Sequence, residues 1–209
     1  MMKFRNIFYI LAVLFISANS YCQDDTLNNS KKFDVDKLTN YYNNSYQQDE
    51  DISRLYQQKY FYLFPSSFSE LVQIFGYKED AKKLTCGTLY YDSKEYIDLF
   101  FHISNIIPQN AFCSKAINIS LNGFWQSDGV SYFQNHLIHK VDTHLKCFIN
   151  ELQKLSDKKI YSFWKFYFDG PSPVDDIPIK LQRIKQIDNN MYDIMCKALK
   201  DVQKEWRNP

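Results

Sequence analysis

Residues 128–155 read DGVSYFQNHLIHKVDTHLKCFINELQKL, from Asp128 to Leu155, and this stretch decides the fold class. Its apolar residues Val130, Phe133, Leu137, Val141, Leu145, Phe148, Leu152 and Leu155 stand 3, 4, 4, 4, 3, 4 and 3 positions apart. At 3.6 residues per turn such spacing draws one apolar stripe along a single helix face, here over about seven turns. A strand would need strict alternation, which is absent. Asp128 stands where an N-cap residue belongs.

Towards the C-terminus, Ser156 marks the start of another helix, on which Ile160, Phe163, Trp164 and Tyr167 lie together. Gly170-Pro171 ends it, because glycine suits a helix terminus and proline cannot continue one. A last helix begins near Asp176-Ile177-Pro178 and carries Leu181, Ile184, Ile187, Met191, Met195, Ala198 and Val202 towards Trp206.

Towards the N-terminus, residues 110–121 fit helix better than strand. Tyr96, Leu99, Phe100, Ile103, Ile106 and Ile107 trace one face as far as Pro108, behind the cap pattern Asp92-x-x-Glu95. Ser67-x-x-Glu70 is a capping box opening a short helix that stops at Gly76. Ile52, Leu55, Tyr56, Tyr60 and Leu63 recur at helical spacing up to Pro65. Residues 34–50 suggest a short, fraying helix, and residues 78–91 a loop or a brief extended piece. The expectation is an all-α, single-domain bundle of about seven helices in two layers.

Composition agrees. Only 5 Gly and 6 Pro stand among 209 residues, against 17% aromatic residues, which suits helices around an aromatic core. Basic and acidic residues nearly balance, 25 against 24, so there is no electrostatic footprint for nucleic acid.

The first residues have another character. Lys3 and Arg5 precede an unbroken apolar run from Ile7 to Ile16, then small and polar residues. This is the layout of a secretory signal peptide, expected over residues 1–22, followed by a polar linker over 23–33 and a helical domain over 34–209. The run is too short to span a bilayer, and no later run approaches the ~20 apolar residues that a spanning helix needs. The expected location is the periplasm. Cys22 raises the question of lipid anchoring, but bulky Tyr21 occupies the place where a lipobox has a small residue.

If Cys22 leaves with the leader, Cys86, Cys113, Cys147 and Cys196 remain. An exported chain meets an oxidising compartment, where four cysteines form up to two disulfides. The spacing does not choose among the pairings, and it matches neither a zinc ribbon nor a CxxC redox motif.

No GxSxG, SxxK, GxxxxGK[ST] or GxGxxG motif is present. His136-x-x-His139 puts two imidazoles on neighbouring turns but suggests no third ligand, and reads as the solvated flank of the long helix. His102 reads as a structural residue beside an aromatic face. No metal and no cofactor is expected. The segment from Phe163 to Pro173, FWKFYFDGPSP, has more aromatics than one buried face requires. Phe163, Trp164 and Tyr167 can face the core, while Phe166 and Phe168 point elsewhere. Either a second helix layer covers them or they form an exposed patch, bracketed by Asp169, Asp175 and Asp176. Trp125, in the loop from Gly123 to Gly129, is either a surface anchor or a plug over the core.

The stretches Leu63–Leu71 (LFPSSFSEL), Ile117–Gly123 (INISLNG) and Phe163–Pro171 (FWKFYFDGP) resemble small exported helical proteins of bacteria, some of them immunity partners of secreted antibacterial toxins. The resemblance covers most of the chain beyond the leader and carries no active site. It implies a binding protein that occludes a toxin acting in the periplasm. Trp164, Phe166, Phe168, Asp169, Asp175 and Asp176 are the partner-binding residues expected on this reading. The alternatives are an exported hydrolase with a site assembled from loops, and an envelope module that binds a ligand.

Overall fold

The computed structural model describes residues 33–80 and 83–207; the leader expected over 1–22 lies outside them. The described chain is mostly helical, as the spacing requires. Helices α1 (Val35–Asn44), α2 (Glu50–Leu63) and α3 (Phe68–Phe75) come first. A hairpin follows, of strands β1 (Tyr77–Asp80) and β2 (Lys83–Cys86). Then come α4 (Ser93–His102), a 3-10 turn (Ile103–Asn105), α5 (Gln109–Ser120), α6 (Gly129–Thr143), α7 (Leu145–Leu152) and α8 (Asp157–Phe168). The chain closes with α9 (Ile179–Gln182), α10 (Ile184–Ile187) and α11 (Asn189–Arg207).

The helices outnumber the seven expected because two long stripes are cut. The stripe from Val130 to Leu155 breaks at His144, whose φ of −125° and ψ of 31° leave the helical region. Thr143 Oγ1 donates back to the carbonyl of His139 at 3.0 Å, a bond that bends helices. Apolar spacing persists across the break because both halves still face the core. The C-terminal stripe is cut at Arg183 and again at Asp188, whose carboxylate accepts from the Met191 amide at 2.9 Å and so caps α11.

The capping box forms with an offset. Ser67 Oγ accepts from the Glu70 amide, but Glu70 reaches back to the Ser66 amide, at 2.7 Å. The piece after Gly76 is an antiparallel hairpin pairing Tyr77 with Cys86. It continues into α3 through the Gly87 amide on the Gly76 carbonyl and the Leu89 amide on the Ile74 carbonyl. A Cβ on Gly87 would stand 2.3 Å from the Ile74 oxygen, so only glycine lets the return strand lie this close.

One buried apolar cluster runs from Leu38 to Val202. Its centre is aromatic: Phe64 stacks on Phe100 with centroids 4.2 Å apart, and Phe61, Phe75, Phe112 and Phe133 surround that pair. Helix α8 lies against α11, α5 and α6. No helix among the described residues is long and apolar enough to cross a membrane.

Candidate functional site

Between α5 and α6 the chain makes no regular structure from Leu121 to Asp128, yet it is held from four sides. The Asn122 amide donates to Ser162 Oγ at 2.6 Å, which ties the loop to α8. The Trp125 amide donates to Asp169 Oδ2 at 2.7 Å, and the Trp206 indole of α11 donates to Asp169 Oδ1 at 2.6 Å. Gln126 turns its side-chain amide to the peptide of Tyr77, giving Nε2–H to the carbonyl at 3.1 Å. The Tyr90 hydroxyl donates to the Asp128 carboxylate. Asp128 does precede α6, but its side chain serves this bond and caps no helix amide.

Asn122 and Asp128 have φ of 57° and 59°, at opposite ends of the loop. Left-handed backbone at residues with a Cβ is costly, and it persists only where the surroundings impose it. The outcome is a ledge fastened by these hydrogen bonds, on which Phe124 stands 53% exposed, its ring edge-on to Phe68 at 5.0 Å. Beside it opens a cleft of about 760 Å³ with Phe68, Val72, Tyr77 and Trp125 as its apolar lining and Ser67, Lys78, Asn122 and Gln126 as its polar lining. Such a mixture suits a side chain or short segment of a partner.

The expected site residues do not assemble. Trp164 and Phe166 are wholly buried and Phe168 is 6% exposed, so these three are core residues and not surface anchors. The cause is the position of α8: α11, α5 and α6 pack around it and cover its aromatics, leaving Asp157, Lys158 and Lys159 of its first turn exposed. Trp164 Nε1–H finds no hydrogen-bond partner among the described residues, the mark of an indole used for bulk. Asp169 is half-buried as the clamp between Trp125 and Trp206. Asp175 and Asp176 are exposed, and Asp175 pairs with Arg207 at 2.5 Å.

A second cleft, of about 700 Å³, opens beside α4 and α6. His136 Nε2 lies 2.6 Å from Asp98 Oδ1, and Lys94 Nζ lies 2.6 Å from Asp98 Oδ2. The imidazole stacks on Phe101, centroids 5.0 Å apart. Burial acts to raise the Asp98 carboxyl pKa, but hydrogen bonds from Lys94 and His136 outweigh it and hold the carboxyl below its ordinary value. His139 and His102 line the same cleft. His136 is thus oriented by Asp98 while 39% of its side chain stays exposed, His139 is exposed as a solvated flank requires, and His102 is exposed. Among the described residues no group of three or more His, Cys, Asp or Glu stands at metal-binding geometry.

The signals for the first cleft were thin. Gly123, Trp125 and Asp128 marked a polar-aromatic loop, but nothing in one chain segment shows that Asp169, Tyr77 and Tyr90 converge on it. No protein-family model, curated protein or solved structure matches this chain.

Proposed function

We propose that this chain is an exported immunity-type protein that binds and neutralises a toxin acting in the periplasm. The observation that carries the reading is the hydrogen-bonded ledge with Phe124 exposed beside an amphipathic cleft. A loop already ordered before association loses little entropy on binding, and an exposed aromatic next to a pocket is the usual anchor of an interface. The binding site moves accordingly, from the buried aromatics of α8 to Phe124, Trp125 and the cleft wall at Tyr77 and Lys78. Asp175 and Asp176 stay in the proposal as an acidic rim. Asp175 is connected to the ledge through its pair with Arg207 and the neighbouring Trp206–Trp125 contact. Export through residues 1–22 places the protein where its target acts.

A second reading, an exported hydrolase, draws support from His136, which its Asp98 contact holds in place at an open cleft as a general base must be held. One assay separates the two. Cells that export the product of the neighbouring gene are grown with this protein, with its leader-deleted form, and with the variants Phe124→Ala and His136→Ala. The binding reading expects protection by the wild type and H136A. It expects none from the leader-deleted form, and an affinity loss of about 30-fold for F124A, the size of a typical hot spot. Full protection by a folded F124A sinks the ledge as the interface. Loss confined to H136A transfers the function to the second cleft. Survival unaffected by the wild type rejects the immunity role.

A further inference from the structure

Four cysteines lie among the described residues, all of them thiols here. Two are brought together by the packing of α5 against α7. Cys147 Sγ–H points at the carbonyl oxygen of Gln109, 3.3 Å away. Gln109 opens α5, and four residues on is Cys113, whose amide donates to that same carbonyl in a regular α-helix. The Cys147 thiol and the Cys113 backbone amide therefore meet at one peptide oxygen, with Cys113 wholly buried and Cys147 half-buried. Cys86, at the end of β2, is exposed, and Cys196 lies on α11.

We propose that Cys113 and Cys147 form a disulfide when the chain meets an oxidising thiol–disulfide pool, stapling α5 to α7, while Cys86 and Cys196 stay outside that bridge. This selects one partner for Cys113 where the sequence left every pairing open. It is independent of which cleft is functional.

The chemistry balances with a small disulfide such as oxidised glutathione as the oxidant. The half-exposed Cys147 thiolate attacks one glutathione sulfur. The glutathione S–S bond breaks, one glutathione thiolate leaves, and a mixed disulfide stands on Cys147. The Cys113 thiolate then attacks Cys147 Sγ and the second glutathione thiolate leaves. Two protein thiols are oxidised, one glutathione disulfide is reduced, and the two cysteine protons end on the released glutathione thiols. Burial, then the adjacent Cys147 thiol, push the Cys113 thiol well above its ordinary pKa, which leaves the partly exposed Cys147 to make the first attack.

The cysteines stand 34 positions apart. A loop of that size, cross-linked in a chain of this length, raises the thermal midpoint by about 10 °C. The test is peptide mapping of the folded chain. The purified protein is equilibrated with oxidised glutathione, its remaining thiols are alkylated in denaturant, and the digest is read by mass spectrometry without reductant. The expected result is a cross-linked pair of peptides carrying Cys113 and Cys147, with Cys86 and Cys196 not bridged to either. Cys113 and Cys147 both alkylated, or Cys147 bridged to Cys86 or Cys196, overturns the assignment. Cys147→Ser removes the partly exposed member, so the buried Cys113 packing is kept. The wild type is expected to lose its extra thermal stability on reduction and C147S to show no such dependence. An equal response of both proteins also overturns the bridge.

Discussion

Lys115 shows how one side chain can close a helix it does not belong to. Helix α2 ends before Pro65, which has no N–H to give the Phe61 carbonyl. The next amide, that of Ser66, is taken by Glu70. Lys115 reaches over from α5 and gives Nζ–H to the Phe61 oxygen at 2.6 Å and to the Tyr62 oxygen at 3.2 Å. Burial of the ammonium lowers its pKa to about 8. The sign follows from proton counting. Between about pH 8 and pH 10 the unfolded chain holds a proton that the folded chain has released, so this group adds stability as pH rises through that window. Lys115→Met is expected to cost about 1–3 kcal/mol near pH 7, because two carbonyls lose their donor. In urea unfolding the gap between wild type and K115M should widen from about pH 8 to about pH 10. A gap that stays constant would show that Lys115 keeps an ordinary pKa. In sequence Pro65 announced the helix end, but nothing local connected it with a lysine fifty residues later.

At the scale of elements, most helices were legible and their joins were not. Apolar spacing located α2, α3, α4, α6, α7 and α11, since a face buried against a core must repeat every three or four residues. The break at His144 was hidden because bending the chain between Val141 and Leu145 leaves the spacing unchanged. The hairpin was hidden for another reason: two four-residue strands are too short to establish an alternation, and only the flanking Gly76 and Gly87 signalled a turn. Gln134 illustrates a join between elements. It reads as a polar residue of an amphipathic helix, yet it is buried. Its Nε2 donates to the Phe166 carbonyl at 2.5 Å and to the Asp169 carbonyl at 2.6 Å, which closes the C-terminus of α8. Gln134→Leu is nearly isosteric but supplies no donor, so a loss of about 2–3 kcal/mol is expected in denaturant unfolding. A loss within the ±0.5 kcal/mol typical of surface changes would mean that these carbonyls need no partner.

At the scale of the molecule, a single apolar cluster draws on α1 through α8 and on the C-terminal helices. With no second core among the described residues to melt on its own, unfolding should be one cooperative transition. Tryptophan fluorescence reports on buried Trp164 and on the clamped Trp125 and Trp206, while far-ultraviolet ellipticity reports on the helices as a whole. The two signals should share one thermal midpoint. Separated midpoints would reveal an independently melting part. The candidate site belongs to this scale too, since α8, α11, β1 and the turn before α4 each supply one fastening of the Phe124 ledge. Trp125, Asp128 and Asp169 were visible as unusual residues. Their convergence was not, because Trp125 and Asp169 are 44 positions apart and only packing brings them within 2.7 Å.

Residues read one after another established the helical class and the positions of most helices, because backbone periodicity is a local property that the apolar pattern must follow. They did not establish which aromatics are exposed. The second half of helix α8 carries aromatics on more than one face, and such a segment looks the same in sequence whether a face is covered or bare. Packing by α11, α5 and α6 covers Trp164, Phe166 and Phe168 and leaves Phe124 outside. The pairing of Cys113 with Cys147 is decided at the same level, since a contact between distant segments follows from how helices settle against each other and has no local signature.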